Sequence, residues 1–152
     1  MMPIKAENRS LYLGGSPTSR EWMALRKHIL KRAENKCERC KVPNGSFILR
    51  SDTGKSFYLE ALIGCGEGTV YDADNGVVLE ENLPWYDFDA GDNIVVKVVL
   101  TIAHLDQNPT NNAGYNLKAL CQRCHNRHDM PHRQKNAAVT RRARLADGDL
   151  FS

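Results

Sequence analysis

The chain has no long apolar run. Its most hydrophobic stretch, Ile94 to Ala103, is broken by Lys97 and Thr101 and falls well short of the roughly 20 residues that a membrane-spanning helix needs. A membrane partner is therefore not expected. The amino terminus, MMPIKAENRS, lacks an apolar stretch followed by a small-residue cleavage site, so a cytoplasmic, reducing setting is the expectation. Apolar residues are not so scarce as to imply disorder: 41% hydrophobic and 26% charged side chains over 152 residues suit a single domain, 1–152, with a core of ordinary size.

Two further absences dispose of false leads. Thr53-Gly54-Lys55-Ser56 resembles the end of a phosphate-binding loop, but the glycine that pattern requires at position 49 is replaced by Leu49, and no apolar strand leads into it. Asp72, Asp74, Gly76 and Glu80 suggest a calcium loop, yet with Gly76 as its sixth position the first would be Tyr71, which offers no carboxylate.

The charge is unevenly distributed. Residues 1–50 carry 11 basic and 4 acidic side chains, residues 51–116 carry 2 and 11, and residues 117–152 carry 8 and 3. Two basic flanks that meet in space would present a positive face to a polyanion while the acidic middle points elsewhere.

Local patterning predicts a mixed α+β chain. Ser16 or Thr18 can cap a helix in which Trp22, Leu25, Ile29 and Ala33 form an apolar stripe opposite Arg26, Lys27, Lys31 and Arg32. Trp22 reads as a core anchor. Residues 42–91 read as a β-rich acidic insertion with strands at 47–49, 57–59, 69–71 and 77–79, the last two joined through Asn75-Gly76, a dipeptide suited to positive φ at both central positions. Ile94 to His104 is the strongest strand, with Ile94, Val96, Val98, Leu100, Ile102 and His104 sharing one face. Beyond a polar loop at 107–115, helices are expected over 124–129 and 131–146, separated at Met130-Pro131.

Four of the five cysteines form two Cys-x-x-Cys pairs, Cys37/Cys40 and Cys121/Cys124, and Cys65 stands apart as a plain thiol. A two-residue gap lets a tight turn aim both sulfurs at one ion, and two such turns complete a tetrahedral Zn²⁺ site. Disulfides are the competing reading, disfavoured in a reducing compartment. With four thiolates the site would be full, hence structural, closing the 80-residue excursion between the pairs.

Around the second pair the residue order is more specific. Ala103-His104-Leu105-Asp106, then Asn111-Asn112, then Asn116 to Asp129 (NLKALCQRCHNRHD) resembles the HNH endonucleases, most of all their zinc-clamped branch common in bacteria and phages. The resemblance extends back to Arg32–Cys40 (RAENKCERC) and covers somewhat under half the chain. It implies a ββα-metal core: a β-hairpin packed on a helix, with a divalent cation such as Mg²⁺ or Mn²⁺ between them. It also implies that DNA is the partner and phosphodiester hydrolysis the reaction. His104 matches the histidine that takes a proton from the attacking water, Asn116 the central asparagine that orients it or helps hold the metal, and His125 the metal-binding histidine. Many relatives carry Asp or His just before the general base. Ala103 supplies no donor, which leaves Asp106 and His128 as further candidate ligands. Lys118, Arg123, Arg127, Arg133, Lys135, Arg141, Arg142 and Arg144 are candidate contacts to the sugar-phosphate backbone. A nucleic-acid-binding module that has lost cleavage, and a scaffold that docks through the acidic insertion, are the alternatives.

Overall fold

The computed structural model describes residues 10–60, 66–88 and 95–149; Cys65 and Ile94 lie outside that set. Among the described residues the architecture is mixed α+β, with two α-helices, a five-stranded antiparallel sheet and a two-stranded antiparallel hairpin. Neither helix is long and apolar enough to cross a membrane.

Helix α1 spans Arg20–Arg32 and buries Trp22 and Ile29. Its cap is Ser19, whose hydroxyl accepts from the Trp22 N–H at 3.1 Å. Ser16 and Thr18 instead bond to one another in the preceding turn. The helix stops where Glu34 and Asn35 take φ of 53° and 55°, leading directly into the first cysteine pair.

Strands β1 (Phe47–Arg50), β2 (Ser56–Glu60), β3 (Glu67–Asp72) and β4 (Val78–Pro84) follow as a meander. With β5 (Val96–Lys97) they form the larger sheet in the order β4-β3-β2-β1-β5. The expected β3–β4 hairpin is present, but its turn differs. Asp72 N–H donates to Val77 O at 2.8 Å and Gly76 N–H to Asp72 O at 2.9 Å, leaving four connecting residues. Only Gly76 of the Asn-Gly pair takes positive φ, 76°. The cause is Asp72, whose carboxylate accepts the N–H groups of Asp74 and Asn75 and so builds a longer side-chain-supported turn.

The predicted strand from Ile94 to His104 is divided between two sheets. β5 pairs with β1, and β6 (Leu100–His104) pairs with β7 (Leu117–Cys121) in the register Leu100↔Cys121 to His104↔Leu117. The chain can cross because the backbone donors at the crossover find other partners. Val98 N–H donates to Ser46 O at 2.8 Å and Val98 O accepts from Gly45 N–H at 2.8 Å. Val99 N–H donates to the Gln122 amide oxygen at 3.2 Å, and Leu100 N–H to that of Asn44 at 2.9 Å. On the predicted face Val98 and Leu100 are wholly buried and Val96 and Ile102 pack partly against the core, but Ala103, on the other face of β6, is as buried as Leu100, so the alternation does not separate a buried side from an open one there.

Helix α2 runs from Gln122 to Asp149 without interruption and contains Pro131. The expected separation at Met130-Pro131 does not occur. Proline φ is compatible with a helix, and its cost is the bond otherwise made to the carbonyl four residues back, at Arg127, which lies on the exposed surface where water can serve.

One apolar cluster joins these parts. Ile29 of α1, Val42 after the first cysteine pair, Ile48 of β1 and Phe57 of β2, Ala73 of the β3–β4 turn, and Leu100, Ala103, Leu117, Ala119 and Leu120 of the hairpin pack together with the four cysteines. The described residues of the segment 42–91 thus share their core with the other described parts of the chain.

Candidate functional site

Cys37, Cys40, Cys121 and Cys124 are all buried, and their sulfurs lie within 4.8 Å of one another. Cys37 and Cys40 sit on the turn after α1, Cys121 ends β7, and Cys124 lies in the first turn of α2. The Cys40 and Cys121 sulfurs are 3.7 Å apart. A tetrahedral zinc–thiolate centre with bonds of about 2.3 Å has sulfur–sulfur edges of about 3.8 Å, whereas a disulfide requires about 2.05 Å. All four thiols are free. Hydrogen bonds from Cys121, Cys124 and Cys40 hold the Cys37 thiol well below its ordinary range, while Cys121 and its neighbours push Cys124 far up. Within the cluster Cys37 and Cys121 are lowered while Cys40 and Cys124 are raised, because four adjacent thiolates repel one another unless a cation lies between them. The site can hold a metal ion and fits structural zinc.

Two contacts that single-residue patterns did not reveal brace this cluster. Arg32, at the end of α1, donates from Nη1 to Gly114 O at 2.8 Å and from Nη2 to Leu117 O at 2.6 Å and to both Glu38 carboxylate oxygens at 2.9 and 3.0 Å. Glu38, between the first two cysteines, also accepts from Ala119 N–H at 2.6 Å. Helix, first knuckle and β7 are therefore tied at one point. The second brace is the β3–β4 turn. A Cβ at Gly76 would meet Cys40 O at 2.5 Å, so this turn lies directly on the first knuckle. Its neighbour Asp74 accepts from Arg123 at 2.8 Å and from Arg127, and Ala73 O accepts from Arg123 at 2.6 Å. The two guanidiniums, Arg127 first, hold the Asp74 carboxyl down to about 2. Arg123 and Arg127, expected on a nucleic-acid backbone, are instead engaged by the acidic segment.

A cleft of about 410 Å³ opens between α1 and α2. Tyr12, Pro17, Trp22 and Arg26 form one wall, Thr101, Ile102 and Gln107 its floor, and His125, Asp129, His132 and Arg133 the other wall. His125 is fixed at both ring nitrogens: Nδ1 lies 2.6 Å from the Thr101 hydroxyl and Nε2 3.4 Å from the Asp129 carboxylate. Burial, reinforced by the nearby His128 and His104, lowers its pKa against the opposing pull of Asp129, favouring the neutral imidazole that can bind a metal. Asp129 also accepts from the Gln107 amide at 3.0 Å. It stands four residues after His125 on one helix face, a spacing visible in the sequence but not used there.

His104, at the end of β6, lies behind this aromatic wall. Its ring stacks on Trp22, with centroids 5.7 Å apart and planes at 14°, and Tyr12 meets both rings edge-on. Trp22 is thus a core residue that also contacts a candidate site residue. His104 Nε2 lies 3.2 Å from the Asn112 amide oxygen.

Asn116 and Asp106 are placed differently from expectation. The Asn116 side chain is buried, accepts from Asp106 N–H at 3.1 Å, and donates to the Asp106 carboxylate at 2.9 Å and to Asn111 O at 2.8 Å. It holds the 105–116 loop, and Asn112 on that loop is what touches His104. Both Asp106 oxygens are taken by amides of Asn108, Asn111 and Asn116, which lower its pKa, Asn108 most. His128 is absent from the cleft wall, and its Nε2 is buried without a hydrogen-bond partner among the described residues. Among those residues the four cysteines are the one group of three or more His, Cys, Asp or Glu able to share an ion.

The remaining basic candidates are exposed. Lys118, on β7 and paired with Ala103, is exposed. Arg133, Lys135, Arg141, Arg142 and Arg144 project from the part of α2 beyond Met130, where every side chain through Leu145 is exposed. Comparison of the chain with protein-family models, with curated proteins and with solved structures gave no match.

Proposed function

We propose that the protein is a metal-dependent endonuclease of the HNH type, with a ββα-metal core formed by β6, β7 and the start of α2 and stapled by structural Zn²⁺ on the four cysteines. The observation that carries the reading is the arrangement of the two histidines. β6 ends in His104, and its antiparallel partner β7 runs without a loop into α2, which carries His125 on the wall of a cleft with a basic rim, while Trp22 of the opposite wall stacks on His104.

In this reading His104 is the general base. Its ring is held by Trp22 and Asn112, and an imidazole is suited to accepting a proton from water at neutral pH. His125 and Asp129 would hold a divalent cation. When bound, it supplies charge neutralisation at the phosphate and assistance to the departing oxygen. Thr101 and Gln107 orient these two side chains from behind. Arg133 at the cleft edge and the exposed cations of α2 bind the sugar-phosphate backbone of DNA.

One observation favours a second reading, a DNA-binding module without cleavage. Ala103 offers no ligand and Asp106 is occupied by amides, which leaves His125 and Asp129 as the pair for the cation. Incubation of the purified protein with plasmid DNA and Mg²⁺ or Mn²⁺ separates the two. Nicking or cutting is expected, stopped by EDTA and abolished in His104→Ala while zinc content and DNA binding persist. A His104→Ala protein that cuts as well as wild type refutes the assignment of the base, and intact plasmid under all conditions favours the second reading.

A further inference from the structure

The half of α2 beyond Met130 is an anomaly within the fold. Every described side chain from Met130 to Leu145 is exposed, whereas most helical stability in proteins comes from packing one face against a partner. Its residues are sorted by angle. At about 100° per residue, His132, Asn136, Val139, Thr140 and Ala143 fall on one stripe in line with His125 and Asp129, and His132 lines the cleft itself. Arg133 and Arg144 lie roughly 90° to one side of the stripe, and Lys135 and Arg142 roughly 90° to the other. Arg141 falls on the far side.

A stripe of amide, hydroxyl and small apolar groups between two rows of cations matches one surface. A major groove about 12 Å wide admits a helix, exposes base edges at its floor and is bordered by a phosphate strand on each side. Asparagine pairs with adenine edges, and threonine, valine and alanine meet thymine methyl groups. In the free protein Asn136 and His132 contact one another at 3.4 Å, and the Thr140 hydroxyl donates to Asn136 O at 2.9 Å, contacts that bases can replace.

We infer that the outer half of α2 lies in the major groove of duplex DNA. Arg133 and Arg144 grip one strand, Lys135 and Arg142 grip the other, and Asn136 and Thr140 read bases beside the cleft. The inference rests on the nuclease reading for the cleft's role, but its test requires binding alone.

The probe is a fluorescent 30-bp duplex of random sequence, titrated with full-length, zinc-loaded His104→Ala protein over a range of salt. Removing two phosphate contacts lowers the slope of log affinity against log salt by about 1.8. That loss is expected for Arg133→Gln with Arg144→Gln, and equally for Lys135→Gln with Arg142→Gln. Selection from a randomised duplex pool should yield a preferred sequence that Asn136→Ala with Thr140→Ala flattens, with the salt slope unchanged. A slope sensitive to only one pair places the helix against a single strand and overturns the inference. So do slopes indifferent to both pairs, absence of binding, or a preference untouched by the Asn136 and Thr140 changes. If both slopes fall and wild type never cleaves, the groove placement stands and the nuclease reading fails. If wild type cleaves and neither slope moves, the reverse holds.

Discussion

Replacing Arg32 with Met keeps most of the side chain's length and removes the clamp that joins α1, the first knuckle and β7. Three partners are lost: Gly114 O, Leu117 O and the Glu38 carboxylate. Hydrogen bonds to charged groups contribute roughly 1.5–3 kcal/mol when well buried, and exposed ion pairs at most about 1 kcal/mol. The Arg32 and Glu38 side chains are 36% and 22% exposed, so the lower end applies. About 1 kcal/mol for each partner gives a total near 3 kcal/mol. For a chain of this length that is a fall in Tm of roughly 6–12 °C. Urea unfolding at fixed free zinc is the assay, because zinc binding itself contributes to stability. Arg32→Lys should recover less than half, since a single ammonium cannot reach all three acceptors in the guanidinium's planar geometry. Leu117 pairs with His104 across the hairpin, so plasmid cleavage should fall with the loosened register. A loss under about 1 kcal/mol, or an Arg32→Lys protein as stable as wild type, refutes the reasoning that this contact organises the site.

Four further outcomes follow from the same geometry. Metal analysis should find one zinc per chain, and either a strong chelator or Cys121→Ser should collapse the fold, seen as loss of near-ultraviolet dichroism. Gly76→Ala should destabilise the protein by more than Gly45→Ala, although both sites have positive φ, because only at Gly76 would the new methyl meet backbone at 2.5 Å; the left-handed penalty alone is about 1–2 kcal/mol, and equal thermal shifts would argue against the turn's contact with the knuckle. Trp22→Leu should slow cleavage at unchanged zinc content and shift the His104 ring-proton NMR signals as the stacked indole disappears; unshifted signals would exclude the stack. Asp129→Asn should raise the Mg²⁺ or Mn²⁺ concentration required for cleavage with little change in Tm, whereas Asp106→Asn should lower Tm through the 105–116 loop, and the opposite pattern would return Asp106 to the metal.

What the sequence determined by itself was local. Paired cysteines two residues apart need only a tight turn to aim their sulfurs, and α1, the β3–β4 hairpin and the basic terminal helix each follow from periodicity or turn chemistry within a few residues. The contents of the cysteine cluster's surroundings required the tertiary structure. Ile94 to His104 alternates as one strand, yet the amides of Asn44 and Gln122, from segments 56 and 23 residues away, satisfy the backbone where it changes sheets. Asp106 and Asn116 read as members of a catalytic set, and only the folded loop shows them bonded to each other. Asp74 reads as one more charge in an acidic block, but folding sets it against Arg123 and Arg127, 49 and 53 residues distant. Spacing along a chain limits which side chains share a helix face or a turn; it carries no information about which polar group from a remote segment will replace water at a buried donor or charge, and those replacements decide which residues remain free to act.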